Sequence, residues 1–189
     1  MVESLSTTRV MPQLIVLNGP PGIGKSTLAG RYVDDHPLSL CLEQDIVRGL
    51  LGGWLSRESE SGSLARRLCL AMAREHLLAG YDVIVPQFVA LPSYLDQLAA
   101  LARDARARHT ELVLVDNVRS AERRFHARLS DPSRAEHQRV AAKFVAEAGG
   151  YAHQYERLVQ GLAGRNVIEI LSVEGDMEGT YHRMLECLG

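Results

Sequence analysis

The sequence predicts an α/β fold, a parallel sheet with helices on both faces, and three observations carry that expectation. Short apolar runs alternate with helical periodicity along the whole chain. The runs are continuously apolar rather than alternating, the pattern of strands buried on both faces. A glycine-rich turn joins the first run directly to the first helix.

"LIVL" (14–17), ended by Asn18-Gly19, reads as a buried strand. Helical pattern follows over 24–33 and stops at "DDHP", because Pro37 disfavours helix at His36. "LSLCL" (38–42) is the second strand, and a short helix over 45–51 is halted by Gly52-Gly53. "SRESESGS" (56–63) has the polar, glycine-containing composition of a loop. A longer helix covers 63–79, with Leu64, Leu68, Met72 and Ala79 on one apolar face and Gly80 as its stop. "DVIV" (82–85) is the third strand, closed by Pro86; a helix over 93–108 and a strand "ELVLV" (111–115) follow. The arginine-rich helix 120–129 leads into "SDPSRAEHQ" (130–138), expected to be mobile, and helix resumes over 137–162. A strand "NVIEIL" (166–171) and a helix over 176–188 close the chain. Without internal repeats, low-complexity tracts or linkers, residues 1–189 form one expected domain.

Composition narrows the function. Hydrophobic residues at 46% and charged ones at 23% are globular proportions, and a formal charge of −2 exerts no global pull on polyanions or anionic lipid. Aromatics, at 5%, are too few for a platform that stacks single-stranded bases, so nucleic acid is disfavoured as a partner. Cys41, Cys69 and Cys187 are scattered and read as bystander thiols of a reducing compartment. The opening "MVESLSTTRV" has no signal-peptide pattern, and no run nears the roughly 18 apolar residues that span a bilayer. A soluble, cytoplasmic protein is expected.

The turn after the first strand carries the strongest signal. Gly19-x-x-x-x-Gly24-Lys25-Ser26 meets every fixed position of the Walker A pattern, between a strand and a helix as the pattern requires. Glycines let main-chain N–H groups come close to an anion, and the positive end of the following helix adds to the attraction. Lys25, one of only two lysines in the chain, would reach the β and γ phosphates. The Ser26 hydroxyl is placed for Mg²⁺. Gly19, Pro20, Pro21, Gly22, Ile23, Gly24, Lys25, Ser26 and Thr27 are therefore the expected nucleotide-binding residues, with Pro20 and Pro21 stiffening the loop.

A bound triphosphate needs an acceptor, either water or a second substrate's hydroxyl. Ligands collect at the carboxyl ends of strands, and strand 38–42 delivers "EQDIVR" there. On a helix Asp45 and Arg48 share a face, so a carboxylate can take an acceptor proton while a guanidinium grips the acceptor's charge. The alternative is a capping Asp45 and a solvated Arg48. In "RSAERRFHARLSDPSR" (119–134), Arg124 and Arg128 are one turn apart and could neutralise charge on a transferring phosphoryl group. The polar segment beside them has the composition of a closing lid.

These residues resemble the small P-loop kinases grouped with zeta toxins, chloramphenicol phosphotransferase, gluconate kinase and the kinase domain of polynucleotide kinases. The resemblance rests on the Walker A residues, "QDIVR" and "ERRFHAR" (122–128). More narrowly, "HPLSL", "LLGGW" and "GYDVIVPQF" resemble a bacterial group of AAA-type ATPases or kinases. The resemblance implies a three-layer P-loop NTPase fold: a five-stranded parallel sheet in the order 2-3-1-4-5, with a small helical lid at about 119–138. It also implies Asp45 as the base, Arg124 and Arg128 as lid arginines, Arg48 near the acceptor, and ATP as the donor. Relatives often end the third strand in an acid; here Pro86 and Gln87 stand there, which turns Gln87 toward the acceptor pocket. The second magnesium contact stays open among Glu43, Asp45 and Asp116, the last ending "LVLVD".

No guanine-reading Asn/Thr-Lys-x-Asp motif occurs, since Lys143 sits in "AAKFVAE", and no His/Cys set has zinc spacing. The expected activity is ATP-dependent, Mg²⁺-dependent phosphoryl transfer to a hydroxyl of a small molecule. The competing readings are an ATPase or nucleotide-dependent binding protein, and a kinase of nucleic-acid 5′-hydroxyls.

Overall fold

The computed structural model describes residues 11–129, 147 and 149–189; the side chains of residues 118, 128 and 129 lie outside that description. Five parallel strands form one sheet, β1 (Gln13–Asn18), β2 (Leu40–Cys41), β3 (Val83–Val85), β4 (Arg108–Val115) and β5 (Ile168–Leu171). Their order is β2-β3-β1-β4-β5, as the resemblance implies. β1 lies at the centre, with Leu14 to Val16 opposite Val83 to Val85 and Gln13 to Asn18 opposite Arg108 to Val113.

The period of two along a strand divides the core. Leu14, Val16, Val83 and Val85 face α2 (Gln44–Gly49), α3 (Glu58–Leu78) and α4 (Pro92–Asp104). Ile15, Leu17, Ile84, Leu112, Leu114 and Ile170 face α1 (Lys25–Asp35) and the final helix, α7 (Met177–Leu188). Leu14 to Leu17 are wholly buried. At about 2 kcal/mol for each such side chain, β1 is the principal anchor of both layers. A separate small cluster of Ala121, Phe125 and Tyr151 joins α5 (Val118–Leu129) to α6 (Gly150–Leu162).

The clearest differences from the sequence reading lie in α3 and at the junction of α4 with β4. Helix α3 starts at Glu58, within the stretch assigned to a loop. Glu58 and Glu60 fall in its first turn, where acids oppose the positive end of the helix dipole. The face that α3 buries is Ser61, Ala65, Cys69, Ala73 and Leu77, whereas Leu64, Leu68 and Met72 are 42%, 37% and 43% exposed. Small side chains let α2 and α4 approach α3 closely, and that closeness outweighs the larger apolar area on the neighbouring stripe. Strand β4 begins at Arg108, three residues earlier than expected, because α4 stops at Asp104 and Arg106 turns the chain at φ 54°.

Gly80, at φ 92°, follows the capping residue Ala79 and ends α3 as expected. Residues 130–138, expected to be mobile and to complete the lid, lie outside the described residues, as does 137–146 of the expected long helix. Among the described residues no helix is long and apolar enough to cross a membrane.

Candidate active site

The phosphate loop hangs between β1 and α1 at the carboxyl edge of the sheet. Gly19, Gly22 and Gly24 hold φ angles of 146°, 84° and 112°, the region where a side chain is strained. Gly22 has a second reason to be glycine. A Cβ there would come within 3.1 Å of the Phe125 main chain, so α5 packs directly on the loop. Ile23 is wholly buried, and its carbonyl accepts a hydrogen bond from Ser172 Oγ at 2.9 Å, which pins the loop to the end of β5. Lys25, half-buried at the start of α1, donates from Nζ to the carbonyls of Gly19 and Pro20, both at 2.9 Å. Its ammonium is thereby held over the loop. The first turn of α1 contains no acid of its own.

The structure brings Glu43 to this loop. Ser26 Oγ donates to Glu43 Oε2 at 3.1 Å, across the gap between α1 and the end of β2. Two oxygen donors, one an acid, are the hard ligands that Mg²⁺ prefers. Asp116 is placed otherwise. Its carboxylate forms an ion pair with Arg124, the two side chains being 11% and 15% exposed. Of the three acids considered for the second metal contact, Glu43 touches Ser26 and Asp116 is engaged by an arginine.

Asp45 stands half-buried in the first turn of α2. Burial pushes the Cys69 thiol up to about 11, and the negative charge of Asp45 adds to the rise. Burial, with the field of Glu43, likewise pushes Cys41 up to about 12. Both thiols stay protonated near neutrality, which fits their reading as bystanders. Arg48 turns to α3, two turns from Cys69. Its Nε donates to Ser61 Oγ and its Nη2 to the Glu58 carbonyl, both at 3.0 Å, while the guanidinium lies 5.3 Å from the Trp54 ring. Arg48 therefore braces α2 against α3, and Trp54 packs on it. Gln87 is half-buried just beyond β3, in the segment leading to α4.

Arg124 sits on α5 beside Phe125, one residue from the contact with Gly22. Among the described residues its buried Nε meets no hydrogen-bond partner. Neighbouring Arg123 ties α5 to Glu174, at 2.5 Å, and Ser120 Oγ donates to the same carboxylate at 3.1 Å. Arg128 belongs to the same helix, but its side chain lies outside the described residues. Two features escaped the sequence reading. One is the Asp116–Arg124 pair. The other is Asn18, a polar side chain 1% exposed at the end of an apolar strand, and that position was itself a signal.

The loop, the strand order and the helices on both faces define a P-loop NTPase fold. The family model AAA_33, described as an AAA domain, matches residues 14–147, and the chain belongs to that family. Among solved structures it is similar to the APS kinase CysC of Mycobacterium tuberculosis in complex with AMPPNP and APS. The identity is 19% over 94% of this chain and 98% of that one, with a TM-score of 0.62. A gluconokinase from Sinorhizobium meliloti 1021 is 19% identical over 95% and 97% of the two chains, with a TM-score of 0.58. The tunicamycin resistance protein of Deinococcus radiodurans is 17% identical over 94% and 96%, with a TM-score of 0.57. No curated protein matches the sequence.

Proposed function

We propose that the protein transfers the γ-phosphoryl group of ATP to a hydroxyl of a small-molecule acceptor. The carrying observation is the Ser26–Glu43 contact, which sets the acid that follows β2 against the phosphate loop; Asp45 lies two residues further on, in the first turn of α2. The loop amides and Lys25 would hold the phosphates, and Ser26 with Glu43 would hold Mg²⁺ directly or through water. The metal, when bound, neutralises phosphate charge. Asp45 accepts the acceptor's proton as its oxygen bonds to phosphorus and the bond to the β-phosphate oxygen breaks, leaving ADP. Arg124, and Arg128 on the same helix, meet the charge on the transferring group. The names of two structural neighbours, a gluconokinase and an APS kinase, support the reaction class.

ATP consumption with and without a panel of metabolites, nucleosides, antibiotics and a 5′-hydroxyl oligonucleotide tests this reading. Strict dependence on one small hydroxyl compound is the expected result. Steady hydrolysis without any acceptor would replace it with an ATPase, and dependence on the oligonucleotide with a nucleic-acid kinase.

The metal assignment has its own test. Glu43→Gln keeps the shape of the side chain and removes its charge. It is expected to weaken Mg²⁺-dependent AMPPNP binding by about 10- to 100-fold while leaving metal-free binding unchanged. Calorimetry across a magnesium titration reads both, and equal magnesium dependence in the two proteins would remove Glu43 from the site.

A further inference from the structure

Asn18 makes three hydrogen bonds to two separate stretches of main chain. Its Oδ1 accepts from Gly19 N at 2.8 Å and from Val89 N at 3.0 Å, and its Nδ2 donates to the Val89 carbonyl at 2.9 Å. Gly19 opens the phosphate loop. Val89 lies in the segment 86–91, which is neither strand nor helix, runs from β3 to α4 and carries Gln87.

The ladder between β1 and β3 ends at Val16 and Val85. Beyond that point β1 leads into the phosphate loop and β3 into the segment 86–91, where Gln87 is the residue expected to face the acceptor. The Asn18 amide takes over where the ladder stops, offering Val89 both a donor and an acceptor as a strand neighbour would. A primary amide can do this; a carboxylate lacks the donor and an aliphatic side chain lacks both. With 1% exposure, water cannot substitute for it readily. The same segment is pressed from the other side by α6, where a Cβ on Gly161 would come within 2.9 Å of the Ala90 carbonyl.

We propose that Asn18 is a positioning residue that fixes the acceptor-side segment 86–91 to the phosphate loop, so that seating triphosphate on the loop also orders the acceptor side. This rests on the nucleotide reading above. It makes nucleotide and acceptor bind with positive coupling through one side chain, with no contact needed between the nucleotide and residues 86–91.

Amide hydrogen exchange of the full chain, with and without AMPPNP and Mg²⁺, tests it. In the native protein AMPPNP is expected to slow exchange over 19–27 and, by about tenfold, at Val89. In Asn18→Ala, at saturating AMPPNP, protection of 19–27 persists and the added protection of 86–91 is lost. Should that variant fail to fold, Asn18→Asp retains an acceptor for Gly19 N and Val89 N but turns the donation to Val89 into a carboxylate oxygen facing its carbonyl; reduced protection of 86–91 is expected. Nucleotide-induced protection of 86–91 that survives in either folded variant overturns the proposal, as does a native protein that binds AMPPNP without any change at 86–91. A native protein that takes up no AMPPNP by calorimetry is a different result, and it overturns the nucleotide reading together with this proposal.

Discussion

Lys25→Met is expected to lower kcat/KM for phosphoryl transfer by about 10²- to 10³-fold and to weaken Mg²⁺–AMPPNP binding, with the melting temperature little changed. Methionine keeps the apolar stem of the side chain and removes the ammonium. That ammonium is held by two loop carbonyls, Gly19 and Pro20, at the mouth of the glycine-lined turn. Charge-assisted hydrogen bonds to phosphate are stronger than neutral ones, and they strengthen further as charge builds on the γ-phosphoryl group. The fold draws its stability from β1 and the two layers around it, where Leu14, Ile15, Val16 and Leu17 are wholly buried, not from Lys25. Binding should therefore fall without unfolding. Calorimetry with AMPPNP and a thermal melt separate the two effects, and undiminished binding would end the proposal that this loop grips triphosphate.

Asp45→Asn is expected to cost about 10²- to 10⁴-fold in kcat with the acceptor found by the panel, and to leave AMPPNP binding intact. Asparagine keeps the size and shape of the side chain but cannot accept a proton at neutral pH. Asp45 is not one of the loop residues 19–27 that would hold the phosphates, so AMPPNP affinity is expected to change little. The same variant carries an internal control. The charge of Asp45 helps to raise the Cys69 thiol to about 11, so its removal should lower that thiol's pKa, although burial still keeps it above an ordinary cysteine. Thiolate absorbance against pH reads this shift in the folded protein. A displaced Cys69 titration with an unchanged rate would show that the substitution reached its target and that Asp45 is not the base.

The phosphate loop was legible because its requirements are local. Three glycines with positive φ, a lysine and a serine lie within eight residues, and the flanking strand and helix announce themselves by periodicity. The strands were legible because both faces of a parallel sheet are covered, which leaves continuous apolar runs. Helix α3 shows where such reasoning stops. Its largest apolar residues, Leu64, Leu68 and Met72, suggest the wrong face, because how near α2 and α4 can come is a property of packed layers. The acidic candidates show the same limit. Glu43, Asp45 and Asp116 are alike in type, yet one meets Ser26, one raises a thiol on α3 and one is paired with Arg124.

The chain's own letters thus determine that a glycine-rich turn with Gly19, Gly22 and Gly24 at positive φ and Lys25 over it follows β1, since backbone conformation and neighbouring residues suffice to build it. Which acid meets Ser26, which arginine pairs with Asp116, and how Asn18 ties residues 86–91 to Gly19 depend on contacts between segments 8 to 71 residues apart. Those contacts arise only when the sheet order brings the strand ends to a common edge, and no short-range pattern encodes that order.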